Sequence, residues 1–152
     1  MIDRSEVLRY LGYGTAMPDP EMTALISDCE REILIAATPK FRWNAFALND
    51  RQIVGTSLLL QGNDIVAHLS GCSRVVLLAA TLGAEVDRRI QSVQVSDLTR
   101  ALVLDATANA LIEQICDTAE REIQAKFPNW YTTWRFSPGY GDFPITIQKE
   151  LL

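Results

Sequence analysis

The 152-residue sequence predicts an α+β domain built on a mainly antiparallel central sheet with flanking helices. Three observations lead there. Apolar residues recur at helical spacing over two long stretches, and short alternating or β-branched runs fall between them. Strands and helices interleave without an internal repeat, a Gly-x-Gly-x-x-Gly fingerprint or a P-loop. With 48% apolar and 22% charged residues, the sequence reads as one ordinary soluble domain, residues 1–152, large enough for a real core.

In chain order, residues 2–10 form a short helix with Asp3 as N-cap and Val7, Leu8 and Leu11 on one side. Gly12-Tyr-Gly14 stops it. Asp19-Pro20 starts a second helix, in which Met22, Leu25, Ile26, Cys29, Ile33 and Leu34 repeat at helical spacing as far as Ala37, with Pro39 as the stop. Its polar face of Asp28, Glu30, Arg31 and Glu32 is expected to be solvated. Residues 41–48 alternate Phe41, Trp43 and Ala45 against Arg42 and Asn44, and residues 53–60 are β-branched and apolar. Both read as strands joined by an Asn49-Asp50 turn. Residues 61–69 read as a short helix, and 74–82 as a buried strand ending at Gly83. Residues 84–92 form a helix with Asp87 and Arg88 outward. Ser96 is expected to cap the longest helix, which runs to about Lys126 and is closed by Pro128. Residues 131–135 read as a strand that delivers the loop after it.

Charge narrows the function classes. A net charge of -5 and a pI near 4.8 argue against a nucleic-acid surface, which needs clustered Lys and Arg. An acidic face suits docking to a cationic partner instead. There is no charged segment followed by an apolar one at the start, and no apolar run of membrane-crossing length, so the expected place is the cytoplasm, without a membrane partner. Cys29, Cys72 and Cys116 are odd in number and widely spaced, which suits reduced, buried thiols better than a disulfide framework or a Cys-x-x-Cys metal site.

The densest chemistry lies at 135–152. Gly139 and Gly141 bracket Tyr140, so the backbone is free to take positive φ or approach a ligand on either side of a ring. Pro138 and Pro144 stiffen the flanks. Such a loop leaves main-chain groups to read a purine edge or a carboxylate, and Arg135 at its mouth adds a planar donor fork for a carboxylate or phosphate. The same residues also describe a Pro/Gly turn ahead of a short helix over 145–152, and local chemistry does not choose between the two.

The longest helix carries a second candidate set. Asp105, Asn109, Glu113 and Asp117 lie four residues apart, in a slowly drifting stripe. Apolar residues on more than one side of that helix place its first half deep in the fold. Glu113 and Asp105 would then face a ligand's hydroxyls or positive charge, against a plain solvated stripe for Asp117. Buried carboxylates there would need an arginine or ligand close by. His68, in Asp64-Ile-Val-Ala-His68-Leu-Ser-Gly71, comes near the Asp-x-His-x-x-Gly pattern by which cobalamin-binding domains present a cobalt ligand. The aspartate is two residues too far away, so a capping or core histidine is the expectation. One histidine and scattered cysteines disfavour zinc or iron. Nothing resembles a nucleophile elbow.

The stretch Arg135-Phe-Ser-Pro-Gly-Tyr-Gly-Asp-Phe-Pro144 resembles the signature of the activation domain of cobalamin-dependent methionine synthase, Arg-Pro-Ala-x-Gly-Tyr-Pro-Ala-Cys-Pro in the fused enzyme. Val7-Leu-Arg-Tyr-Leu-Gly12, His68-Leu-Ser-Gly-Cys72 and Ala80-Thr-Leu-Gly83 are similar to that group too, in its free-standing activation-subunit form. The resemblance implies an S-adenosylmethionine-binding domain. In it, Arg135 engages the methionyl carboxylate, backbone at Ser137, Gly139 and Tyr140 holds the adenine, and Glu113 contacts the ligand. It implies a cobalamin-binding methionine synthase subunit as partner and a flavodoxin or ferredoxin as electron donor, with catalysis by positioning. Gly141, Asp142 and Phe143 depart from the signature, and family members continue through further strands where this sequence stops at Leu152. The expectation is a domain lacking the family's C-terminal segment, with an exposed edge that favours a homodimer. Two other functions stay open: a binding module for a corrinoid protein or sister subunit that has lost the ligand, and an independent methyltransferase.

Overall fold

A computed structural model describes residues 1–151. In chain order the elements are α1 (Arg4–Tyr10), α2 (Pro20–Ala36), β1 (Lys40–Asn49), β2 (Gln52–Ile53), α3 (Asn63–His68), β3 (Arg74–Thr81), α4 (Ala84–Gln94), α5 (Leu98–Lys126), a 3-10 turn (Ile145–Ile147) and α6 (Gln148–Leu151). The strands form one sheet in the order β2-β1-β3. β1 and β2 pair antiparallel, Leu48 opposite Ile53 and Asn49 opposite Gln52. Asp50 makes the turn between them at φ 53°, a conformation aspartate tolerates better than most residues. β1 and β3 are antiparallel as well: Leu48 N donates to Ser73 O at 2.9 Å near one end, and Thr38 N to Leu82 O at 2.7 Å beyond the other. The α+β class and the antiparallel sheet are therefore as the sequence predicts.

The chain divides into two compact units, Met1–Phe41 with Ala80–Glu122, and Arg42–Ala79 with Ile123–Leu152. The boundaries fall inside β1, β3 and α5.

The first unit is helical packing. Asp3 and Asp19 cap α1 and α2, their carboxylates accepting from Ser5 N at 2.9 Å and Met22 N at 2.7 Å, and Pro20 opens α2 where its missing N–H costs nothing. Ile26, Cys29 and Ile33 of α2 are buried at i, i+3 and i+7. In α5, Ala101, Leu104, Ala108 and Leu111 line one face, and Val103, Thr107 and Ala110 are buried too, so the first half of the helix is enclosed on more than one side. The Thr107 hydroxyl satisfies itself on Val103 O at 2.6 Å. Burial pushes the Cys29 thiol up to about 11, which keeps it protonated.

Two expectations for this unit are corrected. Asp97, not Ser96, caps α5: its carboxylate accepts from Arg100 N at 2.9 Å and its carbonyl from Ala101 N at 3.0 Å. Ser96 still belongs to the exit of α4, its N–H bonded to Val93 O at 3.0 Å. The polar face of α2 is also not simply solvated. Glu32, its side chain only 17% exposed, holds Arg89 of α4 and Arg100 of α5, the latter at 2.6 Å. Glu30 accepts from Ile2 N at 3.0 Å.

The second unit has its own core of Ile53, Leu58, Leu60, Ile65, Phe143 and Ile147. Here the expected strand over 53–60 is mostly a turn. The last bond to β1 is Val54 N to Ala47 O at 3.0 Å, Thr56 N returns to Ile53 O at 3.1 Å, and Gln52 Nε2 holds the carbonyls of Thr56 at 2.8 Å and Leu58 at 3.1 Å. A single bridge, Gln52 to Leu59, follows. The apolar run that suggests a strand is core supplied from a turn. The strand expected at 131–135 is absent too. Residues 131–134 are exposed, and the Trp134 carbonyl is taken by a side chain, His68 Nε2 at 3.0 Å, rather than by a neighbouring strand. Upstream of it, Phe127 and Trp130 stack at 3.7 Å, with Arg74 over the Trp130 ring and Lys126 over Trp43, each at 4.9 Å. The short C-terminal helix forms as expected through Leu151; its last expected residue, Leu152, lies outside the described residues.

Candidate functional site

The 135–144 loop of the second unit is a double turn closed on its own main chain. Tyr140 N donates to Ser137 O at 3.1 Å, Gly139 N to Phe143 O at 2.8 Å and Phe143 N to Tyr140 O at 2.9 Å. Gly139 sits at φ 96° and Gly141 at φ 52°, so both glycines take the left-handed backbone expected on either side of Tyr140. Phe143 is 4% exposed and anchors the loop in the core, while Tyr140 is 58% exposed, its ring edge-on to Phe136 at 5.9 Å. A rigid turn thus holds an aromatic ring toward solvent.

What fixes the loop to the rest of the unit is a pair of aspartates. The Asp142 carboxylate accepts from Asn63 N at 2.7 Å and Asp64 N at 2.9 Å, the first two amides of α3. In return Asp142 N donates to Asp64 Oδ2 at 3.0 Å. The two backbone bonds from Asn63 and Asp64 outweigh the desolvation penalty and, with a lesser attraction from Arg51, hold the Asp142 carboxyl below the usual carboxylate range. It is therefore ionised at neutral pH and acts only as an acceptor. Its partner helix starts at Gly62, which has no side chain to cap with, so the cap comes from 78 residues away.

Of the predicted site residues, Arg135, Ser137, Gly139 and Tyr140 lie together in this loop, Arg135 half-buried and the other three exposed. Glu113 is half-buried on α5 in the first unit. The stripe that contains it splits: Asp105 and Asp117 are exposed, so the deep carboxylate expected at Asp105 is not there, and Asp105 Oδ2 accepts from Asn109 Nδ2 at 3.1 Å. The buried positions at 101, 104, 108 and 111 and at 103, 107 and 110 turn residue 105 outward. His68 is a packing residue: its ring lies 4.8 Å from Trp134 and 4.9 Å from Phe136. Because the Trp134 carbonyl only accepts, Nε2 carries a proton, with Thr133 Oγ1 also within 3.1 Å. Sequence reasoning missed Asp64 and Asp142 as partners, and only the Gly62-x-Asp64 and Gly141-Asp142 steps hint at a close approach.

No protein-family model matches the chain, and no curated protein matches it at a significant level. Among the described residues, no helix is long and apolar enough to cross a membrane, and no cluster of three or more His, Cys, Asp or Glu is placed to hold a metal.

Proposed function

We propose that this chain is a reactivation subunit of a cobalamin-dependent methionine synthase, a cytoplasmic protein that binds S-adenosylmethionine for reductive methylation of cob(II)alamin held by a partner subunit. The fold is then of the activation-domain type. The observation that supports this reading is the 135–144 loop, whose signature-like residues fold into a rigid turn with positive φ on both sides of a solvent-facing tyrosine.

The residues suit the ligand in part. The N–H groups of Gly139 and Tyr140 are taken inside the loop, so adenine would be read by acceptors: the Ser137 carbonyl keeps a second lone pair, which matches the exocyclic amine of the base. The Arg135 fork would take the methionyl carboxylate, and Glu113 is the anion that the resemblance assigns to the ligand. When bound, S-adenosylmethionine supplies the methyl group, and a flavodoxin or ferredoxin supplies the electron. The chain itself orients the ligand and covers the partner's cofactor.

Calorimetric titration with S-adenosylmethionine, with S-adenosylhomocysteine as the control for the sulfonium charge, tests the reading. Saturable one-to-one binding is expected, and Arg135→Ala should weaken it by about 1.5–3 kcal/mol, the loss of a charge-assisted contact. An unchanged affinity removes Arg135 from the site.

The closed hydrogen bonding of the loop favours a second reading, a non-catalytic module that holds a corrinoid protein or sister subunit without the ligand. It predicts a complex whose affinity ignores S-adenosylmethionine.

A further inference from the structure

We infer that Asp142 is the positioning residue of the 135–144 loop: clasped with Asp64 on the start of α3, it sets the turn that presents Tyr140. The consequence for S-adenosylmethionine affinity rests on the proposed function; the consequence for the loop does not.

The geometry carries this in three steps. First, the contact is reciprocal. Two amides of α3 donate to Asp142, and Asp142's own amide donates to Asp64, so both chain direction and side-chain rotamer are fixed at once. Second, both backbones have given up their side chains to reach it. A Cβ on Gly62 would lie 2.7 Å from Asp142 Oδ1 and 2.9 Å from its carbonyl oxygen, and a Cβ on Gly141 would overlap the Asp64 carboxylate. Two glycines 79 residues apart serve one contact. Third, the clasp is wired to the turn. Asp142 is followed by Phe143, whose carbonyl accepts from Gly139 N and whose N–H donates to Tyr140 O, so a displaced Asp142 takes the Gly139–Tyr140 turn with it. Phe143 and Ile65 of α3 share the same core cluster, which keeps the two sides of the clasp in register. A loop pre-set in this way avoids an ordering cost when a ligand arrives.

The test uses the full chain with Asp142→Ala and Asp142→Asn, reading amide hydrogen exchange by NMR at Asn63, Asp64, Gly139 and Phe143, with Leu104 as the reference for intact folding. S-adenosylmethionine is then titrated by calorimetry. Asp142→Ala should accelerate exchange at all four loop and helix amides by about tenfold and weaken the ligand by about tenfold, with Leu104 unmoved. Asp142→Asn keeps one acceptor oxygen and should fall between. If Leu104 also accelerates in the alanine variant, the asparagine variant carries the comparison. Acceleration at Asn63 and Asp64 alone would reduce Asp142 to a helix cap and overturn the inference, as would unchanged exchange at all four. Unchanged affinity despite a loosened loop would overturn its role toward the ligand. A wild-type chain that gives no heat with S-adenosylmethionine, while all four amides respond to the substitution, would overturn the proposed function and support the clasp.

Discussion

His68 is held from three sides: its Nε2–H points to the Trp134 carbonyl, Thr133 Oγ1 lies within reach of the same nitrogen, and Trp134 and Phe136 pack against the ring. These contacts tie α3 to the irregular segment that leads into the loop, where no ladder exists to do so. His68→Ala should therefore cost about 1–2 kcal/mol, from a lost hydrogen bond and a lost ring contact. His68→Phe, which keeps the ring, should recover part of it. Urea unfolding followed by tryptophan fluorescence checks both, and an unchanged midpoint in the alanine variant would mean that the 131–134 segment is held by other contacts. Asp142 and His68 thus fix the same stretch of chain from its two ends, one through backbone amides and one through a carbonyl.

At the scale of elements, Glu32 joins α2 to α4 and α5 with one carboxylate shared by Arg89 and Arg100. Burial alone would raise its pKa, but the hydrogen bonds from the two arginines outweigh that and hold it below the ordinary glutamate value. The same pair raises the Arg100 guanidinium further above its usual range, chiefly through the bond to Glu32. A depressed carboxylate pKa contributes stability that is present above the unfolded glutamate value of 4.5 and is lost as pH falls through the folded one. Glu32→Gln should accordingly destabilise the chain by about 1–2 kcal/mol at neutral pH, and the gap between variant and wild type should close on going to about pH 3. Thermal midpoints measured across that range test it, and a gap that persists in acid would show that packing, rather than charge, carries the effect.

At the scale of the molecule, the sequence was informative where structure is local and silent where it is not. Asp3 and Asp19 announce their helices because a cap acts within three residues, and α2 and α5 declare their buried faces because helical spacing repeats. Residues 53–60 mislead because Ile53, Leu58 and Leu60 fill a core from a turn, which composition alone does not separate from a strand. The Asp64–Asp142 clasp leaves almost no trace, since its partners are 78 residues apart. Charge, too, is unevenly spread: the first unit holds 15 of the 19 acidic residues against eight of the 14 basic ones, whereas the second has six basic against four acidic. The acidity expected to suit a cationic partner is thus a property of the first unit alone, and the signature-like loop belongs to the second. If docking on a cobalamin-bearing protein uses that acidity, raising salt from about 50 to 300 mM, which shortens the screening length from about 14 to 6 Å, should weaken the complex several-fold. On the proposed function, S-adenosylmethionine should strengthen it at constant salt, because a ligand held by both components of one site would be linked to their association. Pull-down affinities over both variables separate the readings: a salt-sensitive, ligand-indifferent complex favours the binding module, and a complex insensitive to salt removes the acidic unit from the interface.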